Sequence, residues 1–406
     1  MADGYLPIYI YQVGLHNQHS GPDFFNAKIK IGHTIWAGNI EIHLKSSDWN
    51  KHGHHKDAAY NNVILHVVYE NDELILNAKA QPIPTLELKH CIHKYVLYNY
   101  QNILKSKGWI PCSQQINTVN KTTIKLWLDR LVYERLERKS SDIKTILVEN
   151  NNDWENTFYQ LLFTHFGLKT NALPFELLAK NTPLKIIEKH ANPIQIEALL
   201  FGQAGFLNDH IQEAYCLKLV KEYQFLKNKF KLTPLNKSIW KFLRMRPANF
   251  PTIRISQLAN LLSKTPRLFN AVIEATSCQE VANLFTSTAS KYWDTHYQFG
   301  MESTHKQIKK IGASTLNNIM INVVVPMIFV YGKSINNEEL THKSIQWLSQ
   351  LKPEKNAILS KWATLNIDIK NAMDTQALIE LKNNYCSEKK CLNCSIGNKL
   401  LSTHGS

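Results

Sequence analysis

Apolar and polar positions alternate with a period of two through the first part of the chain and with a period near 3.6 through the rest. Leu6 to Val13 reads as a strand that ends at Gly14, Phe25 to Ile31 as a second that turns at Gly32, and Thr34 to Lys45 as a third. These make a meander. A polar, His-rich stretch from Ser46 to Asn62 follows, with a helix able to start after Ser46 or Ser47 as its cap. Val63 to Tyr69 then reads as a buried strand containing His66, and Leu74 to Ala80 and Thr85 to Leu88 extend the sheet. Within Thr34–Lys45, side chains two apart share a face. Glu41, His43 and Lys45 therefore line one surface, while Ile40, Ile42 and Leu44 are expected to face a core.

Beyond Thr122 the spacing becomes helical. Ile124, Leu126, Leu128, Leu131, Val132 and Leu136 recur mostly at three- and four-residue intervals with Arg130, Arg135 and Arg138 between them. Similar stretches are Phe158–Phe166, Pro193–Leu207, His210–Phe230, Ile255–Leu262, Ser314–Val330, Glu339–Leu351 and Thr375–Asn384, with no fixed repeat. The expected fold class is α+β. A mixed-sheet domain over residues 1–112 precedes a larger all-helical domain over 113–384 and a Cys-containing tail over 385–406.

Composition sharpens this division. Over 406 residues the net charge is +14, and 44% of positions are hydrophobic, which suits a folded globular chain with polyanionic partners. Residues 1–112 hold 10 of the 47 Lys and Arg, 9 of the 33 Asp and Glu, and 10 of the 17 His. The sheet domain is thus nearly neutral and rich in His, and the positive excess belongs to the helices. The start of the chain has no basic stretch followed by an apolar core, and the longest apolar run, Ile319 to Tyr331, is shorter than the ~20 residues that span a bilayer. A soluble protein of the reducing cytoplasm, with no membrane partner, is expected; seven cysteines, an odd number clustered at one end, fit that compartment.

The candidate chemistry begins with Asp23 in Gly21-Pro22-Asp23-Phe24-Phe25 and with Glu41, His43 and Lys45 on the following strand. A hairpin around Gly32 would bring the two carboxylates together as oxygen ligands for Mg²⁺ or Mn²⁺, with His43 or Lys45 as base or charge stabiliser. This order resembles the core motif of the PD-(D/E)xK nuclease superfamily over roughly residues 5–70. The resemblance implies a restriction-endonuclease-like sheet and phosphodiester hydrolysis. The position of the motif's Lys is taken by His43, and Lys45 lies two residues further on.

His52, His54, His55 and His66 offer a second possibility, a zinc-dependent hydrolase, although His52 and His54 equally suit contact with phosphates. His66, inside an apolar strand, reads as a hydrogen-bonded core residue. In the helical part, Arg244, Arg246 and Arg254 surround a Pro-bounded loop, where they are candidates to grip a nucleic-acid backbone or to pin the loop internally. Cys386, Cys391 and Cys394, at C-x4-C-x2-C spacing in polar sequence, suit zinc or an iron–sulfur cluster, with Cys112 as the expected fourth ligand.

Ser20 to Ala27, Gly38 to Trp49, Glu197 to Gly205, Arg246 to Pro251 and the terminal Cys cluster together resemble a bacterial family defined by a domain of unknown function. That resemblance implies that members of the family begin with an additional helical segment, which this chain is expected to lack. The leading expectation is a metal-dependent nuclease or nuclease-like nucleic-acid-binding protein. A non-catalytic scaffold with a vestigial nuclease fold is the alternative from another class.

Overall fold

The computed structural model describes residues 6–17, 19–207 and 212–402. The expected first strand begins after the undescribed Tyr5, and the expected helix start at His210 lies outside the described residues. The fold is α+β. Two compact units divide the chain: Met1–Ser106 with Asn398–Ser406, and Lys107–Gly397.

The first unit is built on a six-stranded mixed sheet: β1 (Ile8–Gln12), β2 (Leu15–His16), β3 (Phe24–Ile31), β4 (Thr34–Lys45), β5 (Val63–Glu70) and β6 (Thr85–Glu87). The spatial order is β1-β3-β4-β5-β6, with β2 also pairing β3. β1–β3 and β3–β4 are antiparallel, whereas β4–β5 and β5–β6 are parallel. A two-residue turn joins Ile31 to its partner Thr34, and Gly32 takes φ +60° at its first central position, as a right-twisted hairpin requires. The parallel β5 needs a crossover. Residues 46–62 supply it, with one short helix, α1 (Asp48–Lys51), and two single 3₁₀ turns, His54–Lys56 and Ala58–Tyr60.

Alternation places Ala27, Ile29 and Ile31 with Ile40, Ile64 and Leu65 in one apolar cluster. Trp49 and Tyr60 from the crossover form a second with Ile75 and Ile83. The expected faces of β4 hold at Ile40, which is buried, and at Lys45, which is exposed, but are reversed at Glu41, Ile42 and Leu44. Ile42 and Leu44 are 45% and 76% exposed, while Glu41 is only 5% exposed. The crossover accounts for the buried polar groups, since its His54 ring stacks on His43 and lies 3.5 Å from Glu41, with Trp49 and Tyr60 packed against His54 in turn.

Leu74–Ala80 is not a strand either. Leu76 makes a single bridge to Pro82, and the Asn77 side-chain oxygen accepts the N–H groups of Lys79 and Gln81, which turns the chain before it can extend the ladder.

In the second unit, Lys121–Glu149 is a 29-residue helix whose buried stripe includes Ile124, Leu128, Leu131 and Val132. Arg135 and Arg138, on the same helix, both bond the buried Glu380 carboxylate. The expected apolar run lies in a longer helix, Ala313–Ser334, which by length and composition alone could cross a membrane. Most of it is packed inside the helical unit, as a core helix is.

Candidate metal centre

Asp23 ends the approach to β3 and Glu41 stands midway along β4, and the two are locked reciprocally. The Asp23 N–H donates to Glu41 Oε2 at 3.1 Å, and the Ile42 N–H donates to Asp23 Oδ2 at 2.9 Å. An irregularity in the β3–β4 ladder lies between Phe24 and Ala27, with Asn26 at φ +58°. Such a bulge re-aims the residues beside it. Each carboxylate thus spends one oxygen on the opposite strand's backbone.

The other oxygen of Glu41 faces imidazoles. Oε1 lies 3.5 Å from His43 Nε2 and 3.5 Å from His54 Nε2. His43 projects from the same face of β4 two residues on, His52 follows α1, and His54 opens the next 3₁₀ turn after Gly53. His52 Nδ1 is 3.2 Å from His43 Nε2. One ring nitrogen from each of His43, His52 and His54 lies within 4.8 Å of the other two. Ligands 2.0–2.1 Å from a tetrahedral zinc ion stand about 3.3 Å apart, so little movement would close these three around an ion.

The surroundings fix the rings. His43 Nδ1 is 2.8 Å from Nε2 of the fully buried His66, which β5 places opposite Glu41. His54 is stacked on Tyr60 with ring centroids 3.8 Å apart and meets the edge of Trp49. His54 Nε2 and His66 Nδ1 are buried without hydrogen-bond partners. Buried polar atoms left in that state are rare and call for a missing partner or a functional reason.

Burial sets the charge state. It pushes the Glu41 carboxyl up to about 7, with the neighbouring Asp23 charge adding to the rise. It holds His43 down to about 4, reinforced by His54 and His52, and His66 down to about 4 beside His43. His54 is lowered by burial and then by His52. Near neutral pH the His43, His54 and His66 rings are therefore uncharged, the form that ligates metals.

Lys45 does not join this group. Its ammonium lies 3.9 Å from Glu70 and 3.9 Å from Asp72 in exposed ion pairs. The Arg loop divides. Arg244 and Arg246 are exposed, but Arg254 is 3% exposed and its guanidinium bonds Asn249, Gln257 and Thr315. The nucleic-acid role expected for Arg254 is corrected on this point, because its donors are turned into the fold where they pin the loop. Cys112, Cys386, Cys391 and Cys394 all belong to the second unit, and none is in a disulfide.

Of the residues expected to act, the structure gathers Glu41 and His43 with Asp23 beside them, and it moves His52 and His54 from a phosphate-contacting wall into the centre. Sequence reasoning undervalued His66, Trp49 and Tyr60. The available signal was a His-rich crossover holding two aromatics, directly after a strand carrying Glu41 and His43.

No curated protein and no solved structure matches this chain. A family model described as "Protein of unknown function (DUF2851)" matches residues 3–357, and the chain belongs to that family.

Proposed function

We propose that the first unit is a metal-dependent phosphodiesterase acting on nucleic acid, with His43, His52 and His54 holding the ion and Glu41 transferring the proton. The observation that carries this reading is the gathering of three imidazoles mutually within 4.8 Å, two of them 3.5 Å from the free oxygen of a buried Glu. Imidazole donors suit zinc better than Mg²⁺ or Mn²⁺, which favour oxygen cages, so zinc replaces the all-carboxylate site as the preferred ion. Three protein ligands leave a fourth position open, as hydrolytic zinc sites do. The ion would lower the pKa of water and neutralise phosphate charge. Glu41 is placed to take a proton from the attacking water as its oxygen bonds phosphorus; the P–O bond to the leaving alcohol then breaks, and that alcohol recovers a proton.

Nucleic acid is the favoured substrate because the charge of +14 draws polyanions, and because the antiparallel β3–β4 pair followed by a helical crossover to parallel β5 accords with a restriction-endonuclease-like sheet. Seven free thiols accord with work in a reducing cytoplasm. The test is cleavage of labelled single- and double-stranded DNA and RNA by zinc-loaded protein. Loss of at least 100-fold in His52→Ala and Glu41→Gln, with an unchanged circular dichroism spectrum, is expected; unchanged cleavage in both variants overturns the reading.

A nucleic-acid-binding scaffold is the second reading, favoured by the diversion of Lys45 to Glu70 and Asp72. It predicts binding that weakens steeply with salt, without cleavage under any metal.

A further inference from the structure

The second unit contains an open cavity of about 620 Å³, lined wholly by its own residues and separate from the His centre. That volume lies in the range of about 300–1,000 Å³ typical of small-molecule sites. Three stretches of the lining depart from regular helical geometry. The helix Ala313–Ser334 widens to i→i+5 bonding over Met320–Val324, which carries the lining residue Asn322. The chain widens in the same way over Leu381–Cys386, which carries Asn383. Between the helices Trp154–Phe166 and Leu168–Asn181, the lining residue Leu168 takes φ +53°, a left-handed conformation that bulky side chains rarely adopt. Widened turns and strained residues of this kind cluster at functional sites.

The charged groups of the lining are not all spent on one another. Glu354 is saturated: its Oε1 accepts the side-chain amides of Asn318 and Asn322, each at 3.3 Å, and its Oε2 accepts that of Gln376. Arg135 is 9% exposed, and its Nε donates to Gln376 Oε1 at 2.6 Å and its Nη1 to Glu380 Oε2 at 3.3 Å. Its other amino group, Nη2, has no protein partner among the described residues. A buried guanidinium with one edge unused is a ready fork for an anion. Lys169 and Lys355 also line the cavity, are exposed, and join no ion pair among the described residues. Behind Asn322, the Lys139 ammonium donates to Asn322 Oδ1 at 2.7 Å. Burial, and then Arg135, push Lys139 down to about 7, as befits a crowd of cations short of a counter-charge.

The lining also describes the ligand. Arg135, Lys169 and Lys355 against one saturated carboxylate call for an anion of more than one charge, and a phosphate monoester carries about −1.5 to −2 at pH 7. The cavity is too large for a phosphate alone. Leu168, Ala172, Ile358 and Ile379 supply apolar surface for a flat ring. The Asn383 amide has no hydrogen bond among the described residues and offers the paired donor and acceptor with which Asn reads a base edge. His165, kept uncharged by burial, has its Nδ1 2.9 Å from the Leu161 carbonyl, which can only accept. The proton therefore sits on Nδ1, and Nε2 is left as an acceptor for a hydroxyl.

We propose that this cavity binds a nucleoside monophosphate, with Arg135, Lys169 and Lys355 on the phosphate and Asn383 on the base. The site is independent of the hydrolase reading of the first unit. The experiment is isothermal titration calorimetry of the full chain in EDTA, which keeps metal out of the His centre, with AMP, GMP, CMP and UMP as probes and the four nucleosides and inorganic phosphate as their halves. At least one nucleotide is expected to bind once per chain with Kd below about 1 mM, and at least about tenfold more tightly than either half. The Lys169→Glu, Lys355→Glu double variant changes exposed positions alone, and it should weaken that binding by at least about tenfold with an unchanged circular dichroism spectrum. Lys237→Glu, which is outside the lining, and His52→Ala should bind as wild type does. No nucleotide bound below about 1 mM, inorganic phosphate bound as tightly as the nucleotide, an affinity unmoved in the double variant, or binding lost in His52→Ala overturns the proposal. Because the His centre is empty of metal throughout, failure of this site and failure of the hydrolase reading are separately visible.

Discussion

His66→Leu separates metal binding from folding, and the structure sets the size of both effects. When His43 turns its Nε2 lone pair to an ion, its proton resides on Nδ1 and donates across 2.8 Å to His66 Nε2. Loss of such an outer-shell partner costs 10–100-fold in metal affinity, or about 1.4–2.7 kcal/mol. The stability of the metal-free chain should change far less. Leu nearly conserves volume, and the cost of leaving the His43 Nδ1 N–H without its partner, about 1–3 kcal/mol, is offset by removing His66 Nδ1, a buried atom with no partner whose desolvation costs as much. Zinc affinity would be read by competition with a chromogenic chelator, and stability by urea unfolding in chelator. A zinc affinity within twofold of wild type would refute the reasoning, as would a loss of affinity matched by unfolding of the metal-free variant.

Other consequences concern the helical unit. Glu380 is buried between Arg135 and Arg138, and Glu380→Ala leaves two guanidinium groups facing each other without it. The expected loss is about 3–5 kcal/mol in urea unfolding, and a loss under 1 kcal/mol would contradict the buried-pair account. His165 is held down to about 4 by burial, with Lys139 adding to the effect, against 6.5 when unfolded. The unfolded chain therefore takes up the proton first on acidification. The contribution of His165 is complete above pH 6.5 and is lost as pH falls from 6.5 to 4, by at most about 3 kcal/mol. His165→Gln should flatten this part of the pH–stability curve, and an unchanged acid slope would count against it. In the first unit, Asp23→Asn keeps an oxygen for the Ile42 N–H but removes the charge beside Glu41, so it should fold normally, and zinc affinity should fall less than in His52→Ala.

Strand positions were legible because period-two alternation survives in β3 and β4, whose bounds follow the pattern closely. Which face would be buried was not, because alternation distinguishes two faces without saying what covers them. At Glu41 and His43 the deciding element is the crossover, and its cover depends on Trp49 and Tyr60 finding Ile75 and Ile83 across the chain. Leu74–Ala80 failed as a strand for a local reason, the Asn77 side chain competing for backbone N–H groups. The proximity of Asp23 and Glu41 was readable from a hairpin and two acidic residues. The His trio required knowing that His52 and His54 fold back over β4, and their spacing of two residues in an irregular segment carries no such direction. The Cys segment stood out by its spacing in polar sequence, yet nothing in that spacing shows that Lys382, four residues before Cys386, packs over the Trp109 ring near Cys112.

The most direct measurement of the central claim is X-ray absorption at the zinc edge of the full chain loaded with one equivalent of zinc. A first shell of imidazole nitrogen and light atoms at about 2.0–2.1 Å is expected, lost in the His52→Ala, His54→Ala double variant. A shell of sulfur at about 2.3 Å, unchanged by those substitutions, would contradict it.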